Sequence, residues 1–230
     1  LQVLIFELKG KMGHFRRPDT TGTHATYPFI SRTALHGLLA SILGLEMLDG
    51  NNFMALRLMT PVYTCTQEMS MMGKGFEKGG KDSFNRPTAV EFVVNPHYRI
   101  YYTGKYLKDL VGKLSGNESH YHTYLGCAYC LTFPKFVDVA RGILISAMGE
   151  VSTRTIVPTN AISSLKFREG TCYSRVSGMQ YRYLGGRRFD GTINFIYNDE
   201  NRSIEFVPAV PNEGKPVSFV DVSGETICLW

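Results

Sequence analysis

The sequence predicts an α+β fold, and two observations carry that expectation. Over residues 1–150, runs with a two-residue period and runs with helical spacing follow one another as strand, helix, strand, strand, helix, strand; over 151–230 only strand-like runs remain. The first part is therefore expected to form one unit, and the second a mostly β part packed on it without an evident linker.

The opening strand, residues 2–8, sets Val3, Ile5 and Glu7 against Leu4, Phe6 and Leu8 and stops at Gly10. Residues 9–30 read as a long loop rich in Gly, Thr, Pro and basic side chains, and such a length inside a compact domain points to function. Ser31 offers an N-cap to a helix whose Leu35, Leu38, Leu39 and Ile42 recur at i, i+3, i+4 and i+7, with Gly44 near its carboxyl end. Gly37 inside that helix costs roughly 1 kcal/mol relative to Ala, so a close backbone approach to a strand or a ligand is expected there. Residues 53–66 read as a strand interrupted at Pro61, because proline cannot donate to a central ladder. Residues 89–94 and 98–102 alternate cleanly and are expected to pair as a hairpin about Asn95 and Pro96. Leu107, Leu110, Val111 and Leu114 predict a second helix after Gly104, and 143–151 a further strand. This order is that of a ferredoxin-like unit, an antiparallel sheet with both helices on one face and the other face open for binding. In the second part, strands are expected at 171–184, 192–197, 204–207 and 217–222, separated by turn residues such as Gly185 with Gly186 and Asn198 with Asp199.

Hydrophobic residues at 43% and charged residues at 20% exclude a disordered tail or a collagen-like fibre. No run approaches the ~18 apolar residues of a membrane span, and residues 1–8 lack a basic region leading into a cleavable apolar one. Cys65, Cys127, Cys130, Cys172 and Cys228 are odd in number and scattered, which favours reduced thiols over a secreted disulfide framework. A cytoplasmic protein with no membrane partner is expected. The formal charge is a modest +5, but Lys9, Lys11, Arg16 and Arg17 cluster with no acid before Asp19, which suggests a polyanionic partner.

Two segments carry candidate binding chemistry. The first interleaves Lys11, His14, Phe15, Arg16 and Arg17 with Gly13 and Gly22, and Tyr27 leads into the helix that bears Arg32. Cations there would neutralise phosphates, glycines would let backbone amides approach, and rings would stack on bases; a solvated surface loop is the plain alternative. The second, residues 67–86, carries Met69, Met71, Met72, Lys74, Phe76, Lys78, Lys81 and Arg86 among four glycines, a composition suited to an adaptable apolar finger flanked by cations. A mobile, dispensable hairpin would have the same composition. Arg182, Arg187 and Arg188 with Tyr181 and Tyr183 form a basic aromatic stretch that fits phosphate or simply solvent. His120, His122, Cys127 and Cys130 have the ligand types of tetrahedral zinc but not the spacing of a standard finger, and no metal or other cofactor is expected. No nucleophile motif is present, and His14, His24 or lysines would serve acid–base cleavage of RNA only if the fold brought them together.

The blocks Phe6-Glu7-Leu8-x-Gly10, Gly13-His14-Phe15-Arg16, Tyr27-Pro28-Phe29 and Ser31 through Gly44 together resemble the fifth family of Cas proteins. That family is the CRISPR-associated Cascade subunit that caps the 5′ handle of crRNA. Thr123-Tyr124-Leu125-Gly126, followed by Phe133 and Pro134, agrees with it, and the His-Phe-Arg-Arg form is most similar to the type I-B branch. The resemblance implies a RAMP fold, built on the ferredoxin-like unit over 1–150 with a thumb hairpin at about 67–86 and a β-rich part over 151–230. Implied partners are the crRNA 5′ handle, the first backbone subunit, the large PAM-reading subunit and target DNA near the PAM, in antiviral interference. By position, 11–17 and Arg32 would grip the handle; Met71, Met72 and Phe76 would form the thumb's apolar tip, with Lys74, Lys78, Lys81 and Arg86 on nearby phosphates. One branch, in type I-C systems, cuts precursor crRNA itself and carries a tyrosine near the end of the first helix, where this chain has Leu43. Leucine cannot transfer a proton, so RNA binding without catalysis is expected, with a repeat-specific endoribonuclease as the alternative and a zinc-dependent interaction module as a third class.

Overall fold

The computed structural model describes residues 1–74, 83–146, 149–210 and 215–230. Its elements are β1 (Gln2–Lys9), β2 (Met12–Gly13), α1 (Arg32–Leu43), β3 (Asn52–Leu58), β4 (Thr64–Lys74), β5 (Ser83–Val94), β6 (His97–Gly104), α2 (Leu107–Ser115), β7 (Lys135–Leu144), β8 (Val151–Thr153), β9 (Val157–Pro158), β10 (Ile162–Leu165), β11 (Ser174–Tyr183), β12 (Phe189–Tyr197), β13 (Ile204–Pro208), β14 (Ser218–Val222) and β15 (Glu225–Leu229). Strand dominates helix, in a six-stranded sheet of order β15-β14-β7-β1-β6-β3 and three sheets of three strands, β10-β13-β8, β11-β12-β9 and β2-β5-β4.

Every neighbouring pair in the large sheet is antiparallel. Strand β1 lies at its centre because both of its faces are apolar: Leu4, Phe6 and Leu8 enter the main core, Val3 and Ile5 a smaller cluster on the opposite face. The main core takes Leu35, Leu38, Leu39 and Ile42 of α1 and Leu110 and Leu114 of α2, the residues that the helical spacing selects. Ser31 Oγ accepts the Ala34 N–H at the head of α1, and Gly44 closes it at φ 75. The second face of the sheet is not open for binding as expected. Val3, Ile5, Ala55 and Tyr101 on that face pack with Val220, Val222, Ile227 and Leu229 of β14 and β15 in the same sheet, and the pairing of Arg57 with Glu225 at 2.8 Å and of Glu7 with Arg99 at 2.7 Å and His97 at 3.0 Å occupies more of it. The sheet's two ends meet through reciprocal backbone bonds between Met54 and Trp230, at 3.1 and 2.9 Å, so neither edge is left free there.

Several sequence expectations change. The strands at 89–94 and 98–102 exist but do not pair with each other: β5 pairs with β4 and β2, β6 with β1 and β3. Asn95, at φ 47, turns the chain from one sheet to the other. Alternation marks each strand locally, but the choice of partner is non-local: Val90, Phe92 and Val93 of β5 and Tyr98, Ile100 and Tyr102 of β6 are buried in the same main core from two different sheets. Pro61 lies in the connection between β3 and β4, which belong to different sheets, and does not interrupt a single strand. The strand expected at 143–151 falls across the end of β7 and the start of β8; β7 begins at Lys135 and shows much of its surface to solvent, which hides it from a hydrophobic pattern. Residues 67–86, expected as a loop, are largely the arms of β4 and β5, paired from Thr64↔Val93 to Lys74↔Ser83. The closing β15 is an addition to the expected strands, although Ser223 at φ 55 and Gly224 at φ 82 make a two-residue hairpin turn before it.

Candidate nucleic-acid interface

The floor of the candidate site is α1, and its opposite wall is the hairpin β11–β12. The two are joined by bonds that reach far along the chain: Arg32 Nη1 donates to the Tyr181 carbonyl at 2.9 Å, and Tyr27 OH donates to the Gly178 carbonyl at 2.7 Å. Gly178, at φ 74, sits where the β11–β12 register shifts between Val176 and Met179, and this bulge turns the outer part of the hairpin over the helix. The Arg32 guanidinium then lies 4.5 Å from the Tyr181 ring centroid, and Lys215 Nζ lies 5.4 Å from the same ring.

A third side comes from residues 10–17 and the segment after α2. His14 N–H bonds to the Leu125 carbonyl at 2.9 Å, Tyr27 N–H to the Phe15 carbonyl at 2.8 Å, and the Gly126 backbone lies against the His14 carbonyl. Between these walls runs a groove of about 750 Å³. Arg16, Arg32 and Arg182 line it with Tyr181, Tyr183 and Phe189, and Tyr183 and Phe189 keep exposed ring surface. Glu46 and Asp49 also reach it, but Asp49 is neutralised by Lys105 at 2.8 Å, and Arg182 is in turn paired with Asp190, which leaves Arg16 and Arg32 as the less engaged cations of the groove. Gly37 faces this space: a Cβ there would meet no atom within 4 Å, so the glycine serves no close approach to a strand and leaves the groove open instead.

The sequence candidates divide sharply. His14, Phe15 and Tyr27 are buried, 4%, 3% and 5% exposed, so their rings are core and not platforms for bases. His14 Nδ1 donates to the Glu91 carbonyl at 2.7 Å, and burial holds its imidazole below the usual histidine range. His24 stacks on it at 6.4 Å and is lowered for the same reason. Arg17 is drawn to Asp19 at 2.7 Å, while Arg16 is exposed and donates to the Thr20 carbonyl at 2.5 Å. Lys11 is exposed beside β2. Met71, Met72, Lys74 and Arg86 lie on the β4–β5 arms; Met71 packs partly on the core and Met72 is 79% exposed. Phe76, Lys78 and Lys81 lie outside the described residues. Strand β2 pairs with β5, so the basic loop and the base of the long hairpin form one continuous surface. His120, His122, Cys127 and Cys130 do not come together as a metal centre: among the described residues no group of three or more possible ligands is present. His120 packs at Gly44, Cys130 is buried, and Cys127 reaches the groove. His36 and Phe189 are groove residues that the sequence reading missed; His36 stands at the position one turn after Arg32.

Residues 3–63 match the family model described as CRISPR-associated protein (Cas_Cas5). By fold the chain is similar to a component of a solved "CRISPR RNA-guided surveillance complex", at 15% identity and a TM-score of 0.56, covering 93% of this chain and 95% of that one. A CRISPR protein from Archaeoglobus fulgidus is similar at 10% identity and a TM-score of 0.55, with 99% and 98% covered, and a further Cas protein at 14% and 0.50, with 90% and 95% covered. No curated protein matches the chain by sequence. The amino-terminal segment, which supplies the floor and one side of the groove, thus matches the Cas5 family model, and the fold is similar over nearly the whole chain to that of solved CRISPR proteins.

Proposed function

We propose that this chain is a crRNA-binding subunit of a type I CRISPR surveillance complex, that it grips the 5′ handle of the guide, and that it does not cut RNA. The observation that carries this reading is the groove of Arg16, Arg32 and Arg182 with exposed Tyr183 and Phe189, set on the segment that matches the Cas5 family model. Cations on a groove wall neutralise phosphates, and exposed rings stack on unpaired bases. On this reading the strands β1, β3, β6 and β7, in sheet order β7-β1-β6-β3 with α1 and α2 in the crossovers, are the ferredoxin-like unit of the RAMP fold. The β4–β5 hairpin is its thumb, and the I-B branch its subtype. Backbone and large PAM-reading subunits are the neighbours, with target DNA passing near the PAM. The ribonuclease alternative has one observation in its favour, the stacking of His14 and His24 at 6.4 Å, and two against it: His14 is buried and engaged by a carbonyl, and Leu43 ends α1 without an ionisable group.

The test is handle binding against salt. Substituting Arg16 and Arg17 by Gln is expected to weaken the handle RNA, and each phosphate that is no longer neutralised should flatten the slope of log K against log salt by about 0.7. Arg16 should carry the larger share, because Arg17 already spends its charge on Asp19. Unchanged affinity and slope in the double variant would sink the assignment.

A further inference from the structure

Two buried polar atoms in the groove have no hydrogen-bond partner, Arg32 Nε and His36 Nε2. Leaving such atoms unpaired is costly, and each demands a cause. Among the described residues, the remaining unpartnered buried atoms, on Tyr98, Asp199 and Trp230, belong to residues that do not line the groove. Arg32 and His36 stand one turn apart on α1 and therefore share a face. Beside them Gly37 leaves space that no protein atom occupies. Both residues line the groove, so an oxygen seated there is the partner that neither nitrogen finds within the protein.

We propose that Arg32 and His36 form a subsite for one internal phosphodiester of the bound RNA strand, with the two side-chain nitrogens as donors to its oxygens and the Gly37 surface as the space the linkage enters. This rests on the RNA-binding reading and specifies it to a linkage. The charge balance selects the ligand. Burial, with Arg32 adjacent, lowers the His36 pKa to about 3, so the imidazole is neutral, and the pair carries the single positive charge of the guanidinium. A phosphodiester carries one negative charge and matches it, whereas a terminal phosphate or free phosphate carries closer to two. The guanidinium is already held by the Tyr181 carbonyl and ring, so little side-chain freedom remains to be lost on binding.

The experiment uses the full chain and repeat-derived handle RNA, unmodified or with single linkages replaced by neutral methylphosphonate. In the unsubstituted protein, one linkage is expected to stand out, its replacement weakening binding roughly tenfold or more. In Gly37→Leu and His36→Phe that same replacement should cost nothing further. Gly37→Leu is the decisive variant, because its side chain enters open space and a leucine favours the helix, so the fold survives while the subsite is filled. Thermal unfolding confirms that survival. Inorganic phosphate at millimolar concentration is expected not to compete, and competition would overturn the diester assignment. Equal handle affinity for the unsubstituted protein and Gly37→Leu would overturn the subsite and leave the proposed function standing; no handle binding by the unsubstituted protein would overturn both.

Discussion

Gly126→Ala tests whether the site is built as described. Gly126 has φ 86, where an L side chain is strained, and its added Cβ would fall inside the van der Waals envelope of the His14 carbonyl oxygen, 2.8 Å from the His14 carbonyl carbon and 3.1 Å from Phe15 Cδ1. Neither neighbour gives way cheaply: His14 N–H is bonded to the Leu125 carbonyl, and Phe15 is a core ring. The left-handed conformation costs about 1–2 kcal/mol, and forcing an extra methyl into a packed site about 1–3 more. The sum, about 2–5 kcal/mol, should lower the melting temperature by several degrees in a chain of this size. Gly224→Ala separates the two parts, because Gly224 has φ 82 and nothing within 4 Å of its Cβ; it should show the conformational cost alone. Urea unfolding of both variants measures the difference, and handle binding should fall only for Gly126→Ala, whose clash pushes the 10–17 loop out of the groove wall. Equal unfolding midpoints for the two variants would refute the steric argument and, with it, the contact that shapes this side of the groove.

Two further outcomes follow from the same structure. His36 is held to about 3 by desolvation, against 6.5 for a free imidazole, so below about pH 6.5 the unfolded chain binds a proton that the folded one refuses. Stability from this residue should then fall by about 1.4 kcal/mol per pH unit on acidification, and not at all above that range; urea titrations near pH 7 and pH 5 should show the excess loss in the unsubstituted protein and not in His36→Phe. Labelled repeat RNA incubated with the pure chain should remain intact, and specific, metal-independent cleavage abolished by substituting His14 or His24 would promote the ribonuclease reading.

The sequence shows α1 almost completely, from the Ser31 cap to Gly44, because capping and a 3.6-residue period are local. It shows β11 to β14 for a similar reason, since turn residues bracket them, but not the short β9 and β10 or the closing β15. What it hides is partnership. Strands β5 and β6 alternate equally well and bury side chains in the same core, yet one joins the long hairpin and the other the large sheet, a choice that no local pattern records. The candidate site suffers the same way: Phe15 and Tyr27 look like stacking rings in a basic loop, and only the packed structure turns them inward. Rings that keep exposed surface at the groove, Tyr183 and Phe189, lie far along the chain beside arginines that composition alone leaves ambiguous.

That separation bears on how the proposed site divides its work. The segment that matches the family model ends at residue 63, so it contains Arg16, Arg32 and His36 but nothing of the opposite wall. The opposite wall, from Tyr181 to Phe189, is held to it by a hydrogen bond spanning 149 residues. Cations and orphaned donors on the α1 side suit the phosphate backbone, which is the same at every position of a strand and fixes register without reading sequence. On the proposed reading, the exposed rings and the backbone edge of the β11–β12 hairpin would face the bases, where sequence is read. If both walls act on one strand, affinity for any RNA depends on α1 and preference for one handle over another depends on the hairpin. Because the groove exists only while the hairpin is docked on α1, a bound strand must also stabilise that docking, by the factor that any ligand confers on the state it prefers.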